Sequence, residues 1–161
     1  MGAVIKVGMA DYKICKSPDA VTTLGLGSCV GVALWDKEKK IAGLVHIMLP
    51  SSTSLKLNSN PLKFADTGID ELVKQMQLAG ASRSNLVAKI AGGAQMFNFQ
   101  QSAATSGIGE RNAEAVREKL NMLRIPIVAS DTGENYGRTV TFYPENGNFV
   151  VRAVGKPEKV I

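Results

Sequence analysis

The 161-residue chain has the length and composition of one ordinary domain spanning residues 1–161. Hydrophobic residues make up 45% of it and charged residues 20%, which is typical of soluble globular proteins with a substantial core. No apolar run reaches the roughly 20 residues that a membrane-spanning helix needs, and the N-terminus lacks the basic-then-apolar pattern of a secretory signal. With only two cysteines, the chain is expected to be a cytoplasmic protein in a reducing compartment.

The positive charge of the chain does not by itself predict nucleic-acid binding. The net charge is +5, but the lysines and arginines are spread among acidic residues and accompanied by only five Phe, three Tyr and one Trp. Nucleic-acid-binding proteins usually concentrate their basic charge in a stripe or combine it with stacking aromatic side chains. We therefore expect either a solvated basic surface or a surface that attracts an acidic protein, and no nucleic-acid partner.

The first third of the chain contains patterns typical of strands. Short strands are predicted over residues 3–7 and 12–15. Residues 22–28 combine two threonines with two glycines and are predicted to form a loop leading into the next strand. Two longer apolar runs, residues 29–35 and 41–49, flank a charged five-residue segment, which predicts an antiparallel hairpin. Because neither run alternates with polar residues, we expect both faces of the hairpin to be covered, as in the centre of a sheet.

The rest of the chain mixes helical and strand patterns. Apolar residues at three- and four-residue spacing predict helices over residues 61–79 and 110–123, and the serine-rich residues 51–60 predict an exposed loop. Further strands are predicted over residues 86–91, 127–129, 139–143 and 148–154. A loose tail is expected over residues 156–161. Many strands with two intervening helices favour an α/β sandwich with a mixed sheet.

The hairpin raises a chemical question, because Cys29 and His46 lie on its two strands. If His46 is opposite Gly31, the side chains of Cys29 and His46 share a face of the sheet and are diagonal neighbours within reach of each other. If the pairing is shifted by one residue, the two side chains point to opposite faces. The sequence leaves both registers open.

Cys29 is the best candidate for a nucleophile. A thiol with an ordinary pKa is mostly protonated at neutral pH and needs a base, and His46 is the only histidine of the chain. Thr23 is well placed in sequence to orient the imidazole, as the third member of a catalytic triad does. The glycine loop around Gly27 and Ser28 can aim peptide N–H groups at a developing oxyanion. The residues alone leave the alternative open that Cys29 and His46 only fill space in a core.

Other sites are less well supported. One histidine and two cysteines are a poor set for structural zinc, which usually has four such ligands. Gly25 and Gly27 begin like a dinucleotide-binding loop, but Val30 stands where the last glycine is required. Cys15 has no histidine partner in the sequence and is interpreted as structural. Residues 92–97 are either a close-packed turn or a ligand loop, and residues 131–138 are either a plain surface loop or part of a cleft rim.

Five separate segments together resemble one protein family. They are, in chain order, TLGLGSCVGV, AGLVHIMLP, KIAGGAQMF, IGERN and DTGENYGRT. They resemble the CheD family of chemoreceptor glutamine deamidases. The resemblance implies a single-domain three-layer α/β/α sandwich with a mixed, largely antiparallel sheet. It also implies that Cys29 is the nucleophile, that His46 is the general base and acid, and that Thr23 orients His46.

The resemblance further implies a reaction and its partners. The Cys29 thiolate attacks the side-chain carbonyl of a glutamine in a methyl-accepting chemotaxis receptor, and water hydrolyses the resulting thioester to give glutamate. No metal or organic cofactor and no direct insertion into a membrane are implied, and the phosphatase CheC is the expected protein partner. Methylesterase or transglutaminase chemistry at the same cysteine stays open. So does a non-catalytic binding module that acts mainly as a regulator of CheC.

Overall fold

A computed structural model describes residues 2–52, 60–96 and 107–161 of the chain. Most of the predicted 51–60 loop therefore lies outside the described residues. These residues form ten strands and two α-helices, and 3₁₀ turns at Pro61–Lys63 and Arg83–Asn85 precede α1 and β6. The elements are β1 (Val4–Val7), β2 (Tyr12–Lys16), β3 (Ala20–Leu26), β4 (Val30–Asp36), β5 (Ile41–Ile47), α1 (Ala65–Leu78), β6 (Leu86–Gly92), α2 (Ile108–Met122), β7 (Ile127–Thr132), β8 (Arg138–Tyr143), β9 (Asn148–Arg152) and β10 (Lys159–Val160).

The strands form two five-stranded sheets. The central sheet has the order β2-β5-β4-β6-β7, and the outer sheet has the order β1-β3-β8-β9-β10. Within the described ranges, neighbouring strands are antiparallel except for the β1–β3 and β6–β7 pairs. Neither of the two α-helices in these ranges is both long and apolar enough to cross a lipid bilayer.

The central sheet separates two apolar cores. On one face, alternate residues of its middle strands, such as Val32 and Val45, pack against apolar stripes of both helices, such as Ile69 and Val116. The residues between them, such as Leu44, point to the other face and pack against the outer sheet. The layers are therefore the two helices, the central sheet and the outer sheet.

The α/β class and the mixed, largely antiparallel pairing are confirmed, but the predicted α/β/α layering is not. Both helices contribute to the core on one face of the central sheet, and a second sheet covers the opposite face. The physical reason lies in the alternation of β8 and β9. Val140 and Phe142 on β8, with Phe149 and Val151 on β9, give the outer sheet an apolar face, which takes the place that a second helical layer would fill.

Strands β4 and β5 form the predicted hairpin, and it lies in the centre of its sheet. β4 is flanked by β5 and β6, and all seven residues of β5 are buried. The register pairs Gly31 with His46. Because Cys29 precedes Gly31 by two residues, this register places Cys29 on the same side of the sheet as His46.

Residues 20–26 differ from the prediction, because they form strand β3 where a loop was expected from residue 22 onward. Gly25 does not end the strand, which continues to Leu26, and Gly27 is the first residue after it. Gly25 has a φ of +70°, and the pairing of β3 with β8 shifts its register between Thr23 and Leu26. The glycine is therefore accommodated in a β-bulge within the strand.

The C-terminal residues are also better ordered than predicted. Lys159–Val160 pair with β9, and the backbones of Ile161 and Phe149 exchange two hydrogen bonds of 3.0 and 3.1 Å. The expected loose tail over 156–161 is therefore wrong. Its last residues form the edge strand of the outer sheet because β9 would otherwise leave its own backbone groups unpaired.

Candidate active site between the two sheets

Thr23 and His46 meet in the core between the two sheets. Thr23 lies on β3 of the outer sheet and His46 on β5 of the central sheet, and both are fully buried. Strand alternation explains the placement, since Val21 and Leu44, two residues earlier on each strand, belong to the same core. Thr23 Oγ1 is 2.8 Å from Nδ1 of His46. The two polar side chains therefore satisfy each other where an unpaired polar group would be costly.

A second hydrogen bond of Thr23 determines which nitrogen of His46 carries the proton. The Thr23 hydroxyl donates to the carbonyl oxygen of Val7, 2.9 Å away. Because a hydroxyl has one hydrogen, it accepts from Nδ1–H of His46. In this neutral tautomer the lone pair lies on Nε2, which is buried and has no hydrogen-bond partner among the described residues. Such an unpaired basic nitrogen is free to take a proton from a reacting group.

Cys29 lies immediately before the first residue of β4. It lies two residues before Gly31, and Gly31 pairs with His46. The Cys29 side chain packs against the core between the sheets. Its thiol is free and its side chain is only partly buried. The nucleophile candidate is thus open to solvent on one side, while the imidazole of His46 is enclosed.

Burial keeps both Cys29 and His46 uncharged near neutral pH. It raises the pKa of the Cys29 thiol above its ordinary value of 9.0 and lowers the pKa of His46 below its ordinary value of 6.5. Both shifts have the same cause, because loss of surrounding water disfavours the charged form of each group. Burial therefore favours a neutral thiol and a neutral imidazole in the free site.

The backbone around Cys29 is attached to the segment that follows β6. The Gly27 carbonyl accepts a hydrogen bond from the N–H of Ala94 at 2.9 Å, and the Cys29 carbonyl accepts one from Gly93 at 2.8 Å. The preceding residue, Gly92, has a φ of +114°, and a Cβ at this position would overlap the Cys29 carbonyl oxygen. Of the 92–97 segment, residues 92–94 thus form a close-packed turn that supports the nucleophile loop, and residue 97 lies outside the described residues.

Asn112 binds the remaining carbonyl of this loop, a role that was not predicted from the sequence. Its side-chain Nδ2 donates to the carbonyl oxygen of Ser28 at 2.9 Å. The signal was present in the sequence, because Asn112 is a polar residue in the buried stripe of α2 beside Ala113 and Val116. A buried amide in an otherwise apolar stripe needs hydrogen-bond partners.

The hydrogen bonds to the carbonyls of this loop determine which of its N–H groups can donate to a substrate. The Gly27 N–H donates to the carbonyl of Gly25 at 3.0 Å, so it is already used within the loop. The N–H groups of Ser28 and Cys29 make no backbone hydrogen bond within the described ranges. Because C=O and N–H of one trans peptide point in opposite directions, these two N–H groups point away from the donors that hold the Gly27 and Ser28 carbonyls.

Comparison with known proteins shows the family of the chain. Residues 48–153 match the family model described as CheD chemotactic sensory transduction. A protein of Lachnoclostridium phytofermentans named probable chemoreceptor glutamine deamidase CheD is 62% identical over 161 residues, the whole of both chains. A protein of the same name from Caldanaerobacter subterraneus subsp. tengcongensis is 54% identical over 98% of both chains. Another from Syntrophomonas wolfei is 51% identical over the whole of both chains.

The chain belongs to the CheD family. The resemblance inferred from the five sequence segments is thereby confirmed. The segment from Thr23 to His46 precedes the part matched by the family model, but it lies within the full length matched by CheD relatives. The individual roles of Thr23, Cys29 and His46 stay predictions, supported by the geometry described above.

The 131–138 segment of this CheD-family chain packs against the turn at residues 92–94 that supports the Cys29 loop. The N–H of Gly133 donates to the carbonyl of Gly92 at 3.0 Å. The segment is closed by Arg138, whose buried guanidinium forms an ion pair with Asp131 at 3.0 Å and donates to the Gly133 carbonyl at 3.0 Å. The loop is therefore packed against the turn that supports Cys29 and is not a separate surface feature.

The second cysteine lies apart from this site. Cys15 on β2 pairs with Ala42, near the opposite end of β5 from His46. It is a free, buried thiol, and burial raises its pKa to about 12. This environment fits the interpretation of Cys15 as a structural residue. The described residues of this CheD-family chain contain no group of three or more His, Cys, Asp or Glu side chains arranged to hold a metal ion.

Proposed function

We propose that the chain is a cytoplasmic protein-glutamine glutaminase that deamidates glutamine side chains of methyl-accepting chemotaxis receptors. Its relatives carry the name chemoreceptor glutamine deamidase. The observation that carries the proposal is the hydrogen bond between Thr23 and His46, which leaves the Nε2 lone pair of the imidazole unpaired on the Cys29 side of the central sheet.

In the first half of the proposed reaction, Cys29 forms a bond with the substrate. Nε2 of His46 takes the thiol proton while Sγ attacks the side-chain carbonyl carbon of the glutamine. The carbonyl oxygen becomes an oxyanion, which accepts hydrogen bonds from the N–H groups of Ser28 and Cys29. Gly27 contributes by its conformation and its anchored carbonyl, because its own N–H is used within the loop.

The tetrahedral intermediate then loses ammonia. His46 returns the proton from Nε2 to the amide nitrogen, the C–N bond breaks, and the carbonyl re-forms as a thioester of Cys29. In the second half, His46 takes a proton from water as the water oxygen attacks the thioester carbon. The C–S bond breaks, the proton returns to the thiolate, and the substrate leaves as glutamate.

The uncharged resting pair suits this sequence of proton transfers. A neutral His46 can accept the thiol proton at the moment of attack, and Thr23 can stabilise the imidazolium that forms, through Nδ1–H. The pKa shifts of Cys29 and His46 both disfavour charge in the empty site. Charge separation therefore develops only when the substrate supplies the carbonyl oxygen that becomes the oxyanion, which the N–H groups of Ser28 and Cys29 then stabilise.

Exposed apolar side chains beside the site support docking of a protein. Leu24 follows Thr23 and is 47% exposed, and Met96 is 44% exposed beside Gly27. Exposed apolar side chains that form a contiguous patch are typical of surfaces that contact another protein. We propose that this rim contacts a receptor helix during catalysis and that CheC binds the same rim as a regulator.

The test of the proposed function is mass spectrometry of a receptor cytoplasmic fragment. The fragment is incubated with the wild-type protein, with Cys29→Ala and with Cys15→Ala as the matched cysteine control. Conversion of Gln to Glu in the wild-type and Cys15→Ala samples, and not with Cys29→Ala, is the expected result. If Cys29→Ala still converts glutamines, Cys29 is not the nucleophile.

The CheC role is tested separately by measuring the binding of CheC to the wild-type protein and to Cys29→Ala. We expect similar affinity for both, because the thiol is a small part of the proposed rim. If no receptor glutamine is converted while CheC binds tightly, the non-catalytic alternative, a regulator of CheC, is favoured. Loss of CheC binding in a folded Cys29→Ala protein would contradict separate roles for the thiol and the rim.

A further inference from the structure

The side-chain amide of Asn112 joins two segments that carry the proposed nucleophile and base. Asn112 is fully buried on α2. Its Nδ2 donates to the carbonyl of Ser28 at 2.9 Å and to the carbonyl of Met48 at 3.0 Å. Ser28 immediately precedes Cys29, and Met48 follows His46 by two residues. One NH₂ group therefore bridges the two chain segments of the site.

The bridge lies where the hairpin ladder ends. The last paired residues of β4 and β5 at this end are Val30 and Ile47, so Cys29 and Met48 would form the next pair. The two backbones instead turn to different neighbours. The Cys29 carbonyl accepts from the N–H of Gly93, and the N–H of Met48 donates to the carbonyl of Lys63 at 2.9 Å. Without ladder bonds at this point, the separation of the two segments needs another constraint.

The chemistry of this bridge requires a primary amide. Both partners are carbonyl oxygens, so the bridging group must supply two N–H or O–H donors from nearly one position, as the NH₂ of asparagine does. An aspartate has the same shape but would present acceptors to both carbonyls. Oδ1 of Asn112 is buried without a partner among the described residues, so hydrogen-bond satisfaction of its own side chain does not explain the choice of asparagine.

We infer that Asn112 is a positioning residue for the proposed deamidation. Asn112 sets the separation between the Cys29 loop and the His46 strand. The inference rests on the proposed function for its role in catalysis. Asn112 touches neither Sγ of Cys29 nor the imidazole through these bonds; it acts through the Ser28 and Met48 carbonyls. Its removal should therefore impair the chemical step more than the binding of substrate.

The first experiment compares kcat and KM of Asn112→Ala and Asn112→Asp with those of the wild-type protein on a receptor fragment. We expect kcat to fall by about 10- to 100-fold in both variants, with KM changed by less than about twofold, because small misplacements of reacting groups are that costly. Val116→Ala is the control, since Val116 is a buried α2 residue outside the bridge. Its kcat should stay close to that of the wild type after comparison at equal folded fraction.

A second readout does not require the receptor reaction. The rate at which iodoacetamide alkylates Cys29 is measured with and without the substitution His46→Gln, in the wild-type and in the Asn112→Ala background. We expect His46→Gln to slow alkylation in the wild-type background and to have a smaller effect when Asn112 is absent. This difference isolates the coupling between thiol and imidazole from any change in exposure of Cys29.

The two readouts separate failure of this inference from failure of the proposed function. If the wild-type protein converts no receptor glutamine, the proposed function fails, and the alkylation cycle alone decides the role of Asn112. An equal effect of His46→Gln in both backgrounds, or a wild-type kcat in folded Asn112→Ala, would overturn the inference. If Asn112→Ala does not fold, Asn112→Ser replaces it, because one hydroxyl hydrogen can serve only one of the two carbonyls.

Discussion

Thr23 accepts a hydrogen bond from His46, because its only hydroxyl hydrogen is donated to Val7. The Oγ1–Nδ1 distance is 2.8 Å, and the distance from Oγ1 to the Val7 carbonyl oxygen is 2.9 Å. The order of the two bonds fixes the imidazole tautomer without any charged partner. In many triads a carboxylate has this task, and here a backbone carbonyl acts through a threonine hydroxyl.

The tautomer is directly measurable, because His46 is the only histidine of the chain. In an untagged ¹⁵N-labelled protein above the pKa of His46, we expect NMR to show a protonated Nδ1 and an unprotonated Nε2. Unfolded protein provides the reference for a freely exchanging imidazole. A folded spectrum with the proton on Nε2 would contradict the assignment and remove the proposed base.

Substitution of Thr23 tests the role of the hydroxyl. Thr23→Val keeps the shape but leaves Nδ1–H of His46 and the Val7 carbonyl unpaired in the core. An unsatisfied buried polar group costs about 1–3 kcal/mol, so we expect a lower free energy of unfolding. We also expect kcat for deamidation to fall by about 10- to 100-fold, because the imidazole is no longer held.

Thr23→Ser is the matched control, since it keeps the hydroxyl and loses one methyl group. It should retain most of the activity and the same His46 tautomer, as judged by steady-state kinetics and NMR. Equal activity of the valine and serine variants would remove Thr23 from the proposed triad.

The pH dependence of activity follows from the burial of His46. Protonated His46 cannot take the thiol proton, and burial lowers the pKa of His46 below 6.5. The neutral, active form therefore persists to lower pH than for an exposed histidine. We expect the acidic limb of kcat/KM for the free protein to lie below pH 6.5, measured with a receptor fragment.

The same shift affects stability and must be measured alongside activity. Between the folded pKa of His46 and 6.5, the unfolded state binds more protons than the folded state. The free energy of unfolding therefore decreases as pH falls from 6.5 through the folded pKa. Thermal melts in the assay buffers identify any loss of activity caused by unfolding. An acidic limb at or above 6.5 in fully folded protein would indicate that His46 is not a buried neutral base.

Much of the fold was predictable where apolar residues follow a long, regular pattern. The hairpin of β4 and β5 and the two helices have such patterns. The helix α1, for example, buries Ile69, Leu72 and Met76 at helical spacing. The second sheet was not predictable in the same way, because the pattern of a short strand does not say which sheet it joins. Strand β3 was not predicted either, because a glycine such as Gly25 occurs in β-bulges as well as in loops.

The candidate site shows a similar division between local and long-range information. Cys29, His46 and Thr23 were predicted as site residues from their chemistry and from the family resemblance. The register that puts Cys29 and His46 on one face was left open, because the charged turn permits two pairings that differ by one residue. The contributions of Val7 and Asn112 depend on contacts between elements distant in the chain. No local sequence pattern specifies such contacts.

Gly92 is expected to be the most sensitive glycine of the site. Its φ of +114° disfavours other residues, and a Cβ would overlap the Cys29 carbonyl oxygen. Gly92→Ala should therefore displace the Cys29 loop and lower kcat as well as stability. Gly155→Ala is the control, because Gly155 has a φ of +75° but open space around it. If both variants lose the same activity at equal folded fraction, the contact with the Cys29 carbonyl is unimportant for catalysis.

The two cysteines should differ strongly in reactivity. Cys29 is partly exposed, whereas Cys15 is 5% exposed and burial raises its pKa to about 12. Because alkylation requires access to the thiolate, limited treatment of the folded protein with iodoacetamide near about pH 8 should give one adduct, at Cys29. Peptide mass spectrometry locates the adduct.

The singly alkylated protein should be inactive, and Cys15→Ala should be alkylated at the wild-type rate. Denatured protein, with both thiols exposed, should give two adducts. Preferential labelling of Cys15 would mean that the core between the two sheets opens more readily at Cys15 than at the candidate site. It would contradict the assignment of Cys29 as the reactive thiol.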